Sequence, residues 1–255
     1  MAMQKIGLVL SGGAIRGVAH LGAMQAINEA GLSIDKISGT SAGAIMGALY
    51  ANGMNPEDIL EIIANIKLYQ HIRPHFGAGG LLSLQASEKL LKELLPHNTF
   101  KGLRIPLVTT AVNLANHQLV YFSEGELIPA IQASMAIPGV FKPVQIQDQL
   151  LVDGGILNNF PVEPLLNDCD FIIGSSCNAI PAFERIKSLK NTVERAALIV
   201  INADTAQKKT YCNLLIDPPG LGVFGLFELK KAKEIYSRAY DYAKGILEDK
   251  NLALK

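Results

Sequence analysis

Ile6-Gly7-Leu8-Val9-Leu10-Ser11-Gly12-Gly13-Ala14-Ile15-Arg16-Gly17 is the stretch that decides how this chain folds. Ile6 to Leu10 is a short apolar run of the kind that forms a buried strand. It is too short for the core of a signal peptide and far too short for a membrane span. Glycines stop it. Helical spacing follows from about Val18 and ends at Gly31, a glycine placed to close a helix just past its last turn. Strand, glycine turn and helix together make the first unit of a layered α/β protein.

The same alternation continues outward. Ile34 to Ile37 reads as a short strand, and a helix runs from about Ser41 to near Gly53. Asn55-Pro56-Glu57-Asp58 opens another helix, with Asn as cap, Pro at the first position and two acids facing the dipole. Ser87 to Leu95 and Leu127 to Ala136 have helical spacing. Pro106 to Val112 and Gln118 to Phe122 read as strands around a turn at Asn113 to His117. Val144 to Val152 is strand-like with a polar kink at Asp148, and Phe171 to Ser175 is another apolar strand. Thr192 to Thr205 is helical, Cys212 to Ile216 strand-like, and the last helix, about Phe227 to Glu248, is amphipathic. From Leu68 to Leu82 the pattern breaks down around His71, Pro74, His75 and Gly77-Ala78-Gly79-Gly80, which predicts a mobile flap.

Composition narrows the function. Apolar residues make up 49% of the 255 and charged residues 18%, enough for a sizeable core and unlike a disordered chain. Lys plus Arg and Asp plus Glu are both 23, so the net charge is zero. That argues against a nucleic-acid partner, which needs a basic surface, and against strong attraction to acidic lipids. Cys169, Cys177 and Cys212 fit neither a disulfide framework nor a zinc site; buried reduced thiols and a cytoplasmic setting are expected. With no repeat and no linker, residues 1–255 read as one domain, soluble or at most lying on a membrane surface.

Three motifs carry chemistry. Gly39-Thr40-Ser41-Ala42-Gly43 is a G-x-S-x-G between a strand-like and a helical segment. In a nucleophile elbow the serine sits on a sharp strand-to-helix turn, and the glycines are there because a Cβ would clash. The adjoining helix N-terminus can stabilise developing negative charge. An ordinary tight turn with a capping serine is the competing reading. The second motif, Ser11 to Gly17, fits neither dinucleotide nor P-loop spacing, because Gly12 and Gly13 are adjacent and Val18 follows Gly17. An oxyanion hole with backbone donors from Gly12, Gly13 and Ala14 remains, with Arg16 either anchoring the loop or steering a phosphate head group. The third, Asp153-Gly154-Gly155, follows the apolar Leu150-Leu151-Val152 and presents either a carboxylate at a strand end or a plain turn.

A hydrolase of the Ser-Asp-His order needs a histidine after both partners, yet the last histidine is His117. His20, His71, His75, His97 and His117 read as core or surface residues, so a carboxylate is the better base for Ser41. The apolar, glycine-rich Gly220 to Phe227 reads as a packed connection into the last helix, with membrane contact or an acyl-pocket wall as alternatives.

Taken together these residues resemble the patatin-like phospholipases, in particular their short bacterial members. Ala133-Ser134-Met135-Ala136-Ile137-Pro138-Gly139 and the run from Leu151 to Val162 agree, and the resemblance covers about Lys5 to Ile216. It implies a three-layer α/β/α sandwich around a mostly parallel sheet. It also implies a Ser-Asp dyad of Ser41 and Asp153, and an oxyanion hole from Gly12, Gly13 and Ala14 with Arg16 beside it. Gly39, Gly43 and Gly154 support those residues. The implied activity is hydrolysis of fatty-acyl esters such as phospholipids or lysophospholipids, without metal or organic cofactor. A weakly active lipid-binding or regulatory protein and a general carboxylesterase are the alternatives. One position departs from the pattern: Ala14 stands where a third glycine is usual. Alanine keeps its N–H but prefers φ below zero, which predicts a changed loop geometry.

Overall fold

The computed structural model describes residues 4–66, 73–74, 80–84, 87–178, 185, 188–225 and 228–250. Its elements are β1 (Ile6–Leu10), α1 (Ala19–Glu29), β2 (Lys36–Gly39), α2 (Ala42–Ala51), α3 (Pro56–Asn65), β3 (Arg73–Pro74), β4 (Gly80–Ser83) and α4 (Glu88–Leu94). Then follow β5 (Leu107–Asn113), β6 (Gln118–Phe122), α5 (Leu127–Ser134), β7 (Gly139–Phe141), β8 (Val144–Ile146) and β9 (Gln149–Asp153). The chain continues through β10 (Phe171–Ser175), α6 (Leu189–Ile201), α7 (Thr205–Lys209), β11 (Leu214–Ile216) and α8 (Ala232–Asp249).

The central sheet has the order β11-β10-β1-β2-β5-β9-β8, with β6 also on β5. From β11 to β5 every pairing is parallel; β6, β9 and β8 add antiparallel partners. β1 lies in the middle and is buried along its whole length, as an apolar run without alternation should be. Its side chains still alternate. Ile6, Leu8 and Leu10 enter the main apolar cluster, which includes residues of α1, α2 and α8. Val9 enters a second cluster with Phe160, Val162, Leu165 and Ile172. Both faces of the sheet are therefore covered, giving the expected sandwich. The second outer layer is thin, built on the 3-10 turn Glu163–Leu165 and tied to α7 by Lys208–Glu163 at 2.9 Å.

Local signals explain the element ends. Gly31 has φ 75°, and Gly31 N–H and Leu32 N–H return to Asn28 O and Ile27 O, the two bonds of a Schellman stop. Asn55 accepts from Glu57 N–H with Pro56 in the first turn of α3. Two expectations need correcting. The polar kink at Asp148 is a full reversal: β8 and β9 are two antiparallel strands that turn at Gln147-Asp148, where Gln147 has φ 51°. Of the predicted flap, residues 68–72 and 75–79 lie outside the described residues. The described parts, β3 and β4, form a ladder continued by β7, so a pattern with no clear periodicity still pairs through its backbone. The helix predicted at Thr192–Thr205 divides into α6 and α7.

Strand β5 acts as a ruler for the site. Thr109 pairs with Gly39 of β2 and Phe122 of β6, while Ala111 pairs with Asp153 of β9 and Val120 of β6. A strand has two edges, so β6 fills one, and β2 and β9 share the other. They run toward each other and stop two residues apart, about 7 Å along β5. Ser41 and Asp153, distant in sequence, leave these two facing ends.

Candidate active site

Ser41 begins the turn into α2 with φ 54° and ψ −117°, a conformation that costs a non-glycine residue about 1–3 kcal/mol. The surroundings hold it there. A Cβ on Gly39 would lie 2.5 Å from Gly43 O, and one on Gly43 would lie 2.4 Å from Leu10 O. The two glycines thus let the elbow close against itself and against the end of β1. Ser41 N–H donates to Ser134 Oγ at 2.8 Å, and Thr40 Oγ1 donates to Asn158 O at 2.9 Å. Because that proton is used, Thr110 Oγ1 donates to Thr40 Oγ1 at 2.6 Å.

Asp153 closes β9. Its N–H donates to Ala136 O at 3.0 Å and its Oδ1 accepts from Gly155 N–H at 2.8 Å. A Cβ on Gly154 would lie 2.2 Å from Thr110 Oγ1, so the strand end can seat on β5 only without one. Burial pushes the carboxyl up from 3.8 to about 6, opposed by hydrogen bonds from the Ser41 hydroxyl and Gly155 N–H. The Ser41 hydroxyl thus stands near enough to the Asp153 carboxyl to oppose the effect of burial on it.

The glycine loop lies alongside. Gly12 N–H donates to Asn159 O at 3.1 Å, so this amide is already engaged. Gly13 and Ala14 N–H find no acceptor among the described residues, and neither does Ala42 N–H at the start of α2. Ala14 has φ 50°, against the expected φ below zero: the alanine sits in the left-handed region and bears the strain itself. Arg16 turns away from the site. Its Nε donates to Phe224 O at 2.9 Å and Nη2 to Gly222 O at 3.3 Å, so it anchors the 220–225 segment. Leu221 and Phe224 are buried there, as a packed connection requires; Leu226 and Phe227 lie outside the described residues.

Two pockets meet at Ser41. One, about 1060 Å³ including its open mouth, is lined by Ile45, Met46, Leu91, Met135, Phe141 and Leu229 among other apolar side chains. The other, about 640 Å³, is lined by Gly13, Ala14, Asp153, Asn159, Asn178, Leu198 and Ile201 among others. Ala14, Ser41 and Ile137 belong to both. No histidine is among the described lining residues. His20 is fully buried, with Nε2 donating to Ser11 O and Nδ1 accepting from Ser175 Oγ, both at 2.8 Å. Burial lowers it to about 4, leaving it neutral. Cys177 is buried and pushed up to about 12, also by burial, and packs behind Gly13; Cys169 and Cys212 are only half-buried.

Sequence reasoning missed Ser134, Ala136, Asn159 and Asn178. The end of α5 braces the site twice, through Ser134 on the elbow and Ala136 on the acid strand. Asn178 Nδ2 donates to Gly12 O and fixes the loop. The available signals were the segment that begins at Ala133 and the run from Leu151 to Val162, noted for their resemblance without a role for these residues.

A mixed α/β sandwich with a strained serine and an adjacent buried acid at its strand ends defines the class of this protein. The chain belongs to the patatin-like phospholipase family, whose profile matches residues 8–166. An uncharacterized NTE family protein of Mycobacterium tuberculosis is 33% identical over 181 residues, 70% of this chain and 50% of that one. Lysophospholipase NTE1 of Cryptococcus neoformans is 30% identical over 174 residues, 64% of this chain and 10% of that one. The chain thus spans about half the length of the mycobacterial relative. VipD from Legionella pneumophila shares the fold, with TM-score 0.64 and 18% identity over 96% of this chain and 67% of that one. No helix among the described residues is long and apolar enough to cross a membrane.

Proposed function

We propose that this chain is one acyl-hydrolase domain that cleaves fatty-acyl esters with Ser41 as nucleophile and Asp153 as its base. The observation that supports the reading is the strained Ser41 beside the buried Asp153 carboxyl in one pocket, at the point where a second, wider apolar cleft opens. The Asp153 carboxylate takes the Ser41 proton while Oγ bonds to the acyl carbon. The N–H groups of Gly13 and Ala14 face the oxygen that gains charge, and Gly12 shapes the loop. The bond to the leaving alkoxide breaks, and the proton on Asp153 goes to it. Water then attacks the acyl carbon and gives a proton to Asp153, which passes it to Ser41 Oγ as the bond from Oγ to the acyl carbon breaks and the fatty acid leaves.

The wide apolar cleft favours a long acyl chain over a short soluble ester. Ala14 was the feature that encouraged a binding-only reading; its N–H has no acceptor among the described residues, which supports its use as a donor. Contact with a lipid surface falls to α6, whose Leu198 and Ile201 line the smaller pocket while Leu189, Val193 and Val200 are exposed.

Fluorophosphonate labelling and release of p-nitrophenol from p-nitrophenyl laurate test the reading. Ser41→Ala abolishes both, and Asp153→Asn abolishes turnover. Unchanged turnover in Ser41→Ala overturns it.

A further inference from the structure

On the side of Ser41 away from the apolar cleft, the structure offers one carboxylate, two carboxamides and no cation among the described lining residues. The one arginine of the glycine loop, Arg16, gives Nε to Phe224 O and Nη2 to Gly222 O and does not line the pocket. The state of Asp153 tells the same story independently. Burial raises it, and the only opposing influences are the Ser41 hydroxyl and Gly155 N–H, with no lysine or arginine charge contributing. Phosphate recognition rests on arginine or lysine, or on a cradle of free backbone N–H groups. Of the free amides, Gly13 and Ala14 face the reacting carbonyl under the proposed mechanism, and Ala42 lines the apolar cleft.

What the pocket does offer suits hydroxyl groups. Asn159 is 3% exposed, it lines the pocket, and its Nδ2 has no partner among the described residues. Asn178 gives its amide proton to Gly12 O and keeps its carbonyl oxygen as an acceptor. A carboxamide both donates to and accepts from an alcohol. Leu198, Ile201 and Pro138 complete the wall with apolar surface.

We propose that this pocket holds the leaving group and selects an uncharged, hydroxyl-bearing one, so that the preferred substrate is a neutral acylglycerol and not an anionic phospholipid. The proposal rests on the acyl-hydrolase reading and names the substrate class of that same site. A phosphate about 6 Å from the Asp153 carboxylate is disfavoured by about 100-fold at an effective dielectric constant near 20. It also favours the protonated carboxyl, which cannot act as base.

The test compares three substrates with one acyl chain in neutral-detergent micelles at pH 8: monolauroylglycerol, lauroyl lysophosphatidylcholine and lauroyl lysophosphatidic acid. The expected order of kcat/KM is glycerol ester, then zwitterion, then anion, with about 100-fold between the ends. Raising the salt from 20 to 300 mM speeds the anionic substrate and leaves the neutral one unchanged. Leu198→Lys, which puts a cation on the pocket wall, narrows the gap between the ends about tenfold. Equal rates on all three, a faster rate on either phospholipid, or an unchanged gap in Leu198→Lys overturns the proposal. p-Nitrophenyl laurate separates the two failures. If it is cleaved in a Ser41-dependent way and the order is wrong, only the leaving-group assignment falls; if it is not cleaved, the hydrolase reading itself falls.

Discussion

Replacing Asp153 by Asn removes the proposed base and also a buried negative charge, and the two effects have opposite signs for the protein. The carboxyl is raised by burial from 3.8 to about 6. Between those values the folded protein holds a proton that the unfolded chain has released. Stability from this group is therefore complete below about 3.8 and is lost as the pH rises through about 6. Linkage puts the loss at about 2 kcal/mol by pH 5 and about 3 kcal/mol by pH 8. Asparagine is isosteric, still accepts from Gly155 N–H, and carries no charge at any pH. Asp153→Asn is thus expected to be inactive yet more stable than the parent at pH 8, with its advantage widening by about 1 kcal/mol from pH 5 to pH 8. Urea denaturation of both proteins across that range measures it, and the difference cancels His20, whose depressed value removes stability as the pH falls from 6.5 through about 4. The parent's kcat/KM rises with pH to a plateau, half-maximal near 6, as a carboxylate base requires. A stability difference that stays constant with pH, or a less stable variant at pH 8, refutes the assignment of Asp153 as a buried charge.

Ser134→Ala leaves the buried Ser41 N–H without an acceptor, an expected loss of about 1–3 kcal/mol by urea denaturation, and because the elbow loosens, kcat falls more than KM rises. Ala14→Gly relieves a left-handed alanine; the relief, about 1–2 kcal/mol, offsets the entropy of glycine, so the urea midpoint stays level or rises where a glycine usually lowers it. Val193→Glu with Val200→Glu puts charge on the exposed face of α6, and it lowers hydrolysis of lipid vesicles several-fold while a monomeric short-chain p-nitrophenyl ester is cleaved at the parental rate.

What the sequence determined by itself was local and steric. Ile6–Leu10 is a strand because an apolar run before paired glycines has few alternatives, and Gly31 stops α1 because its φ of 75° suits glycine. Gly39 and Gly43 could be read as an elbow because close backbone approach leaves a signature in residue type. The pairing of Ser41 with Asp153 came from a resemblance, since an acid before two glycines is equally a turn. Tertiary structure alone supplies the reason they meet: β2 and β9 end against the same edge of β5, a register set by strands far apart in sequence. It alone spends the Gly12 amide on Asn159, turns Arg16 toward Phe224, and gives Ser134 and Ala136 their partners. Each of these is a choice of hydrogen-bond partner across the fold, and a residue's type limits what it can bond without naming what it will bond.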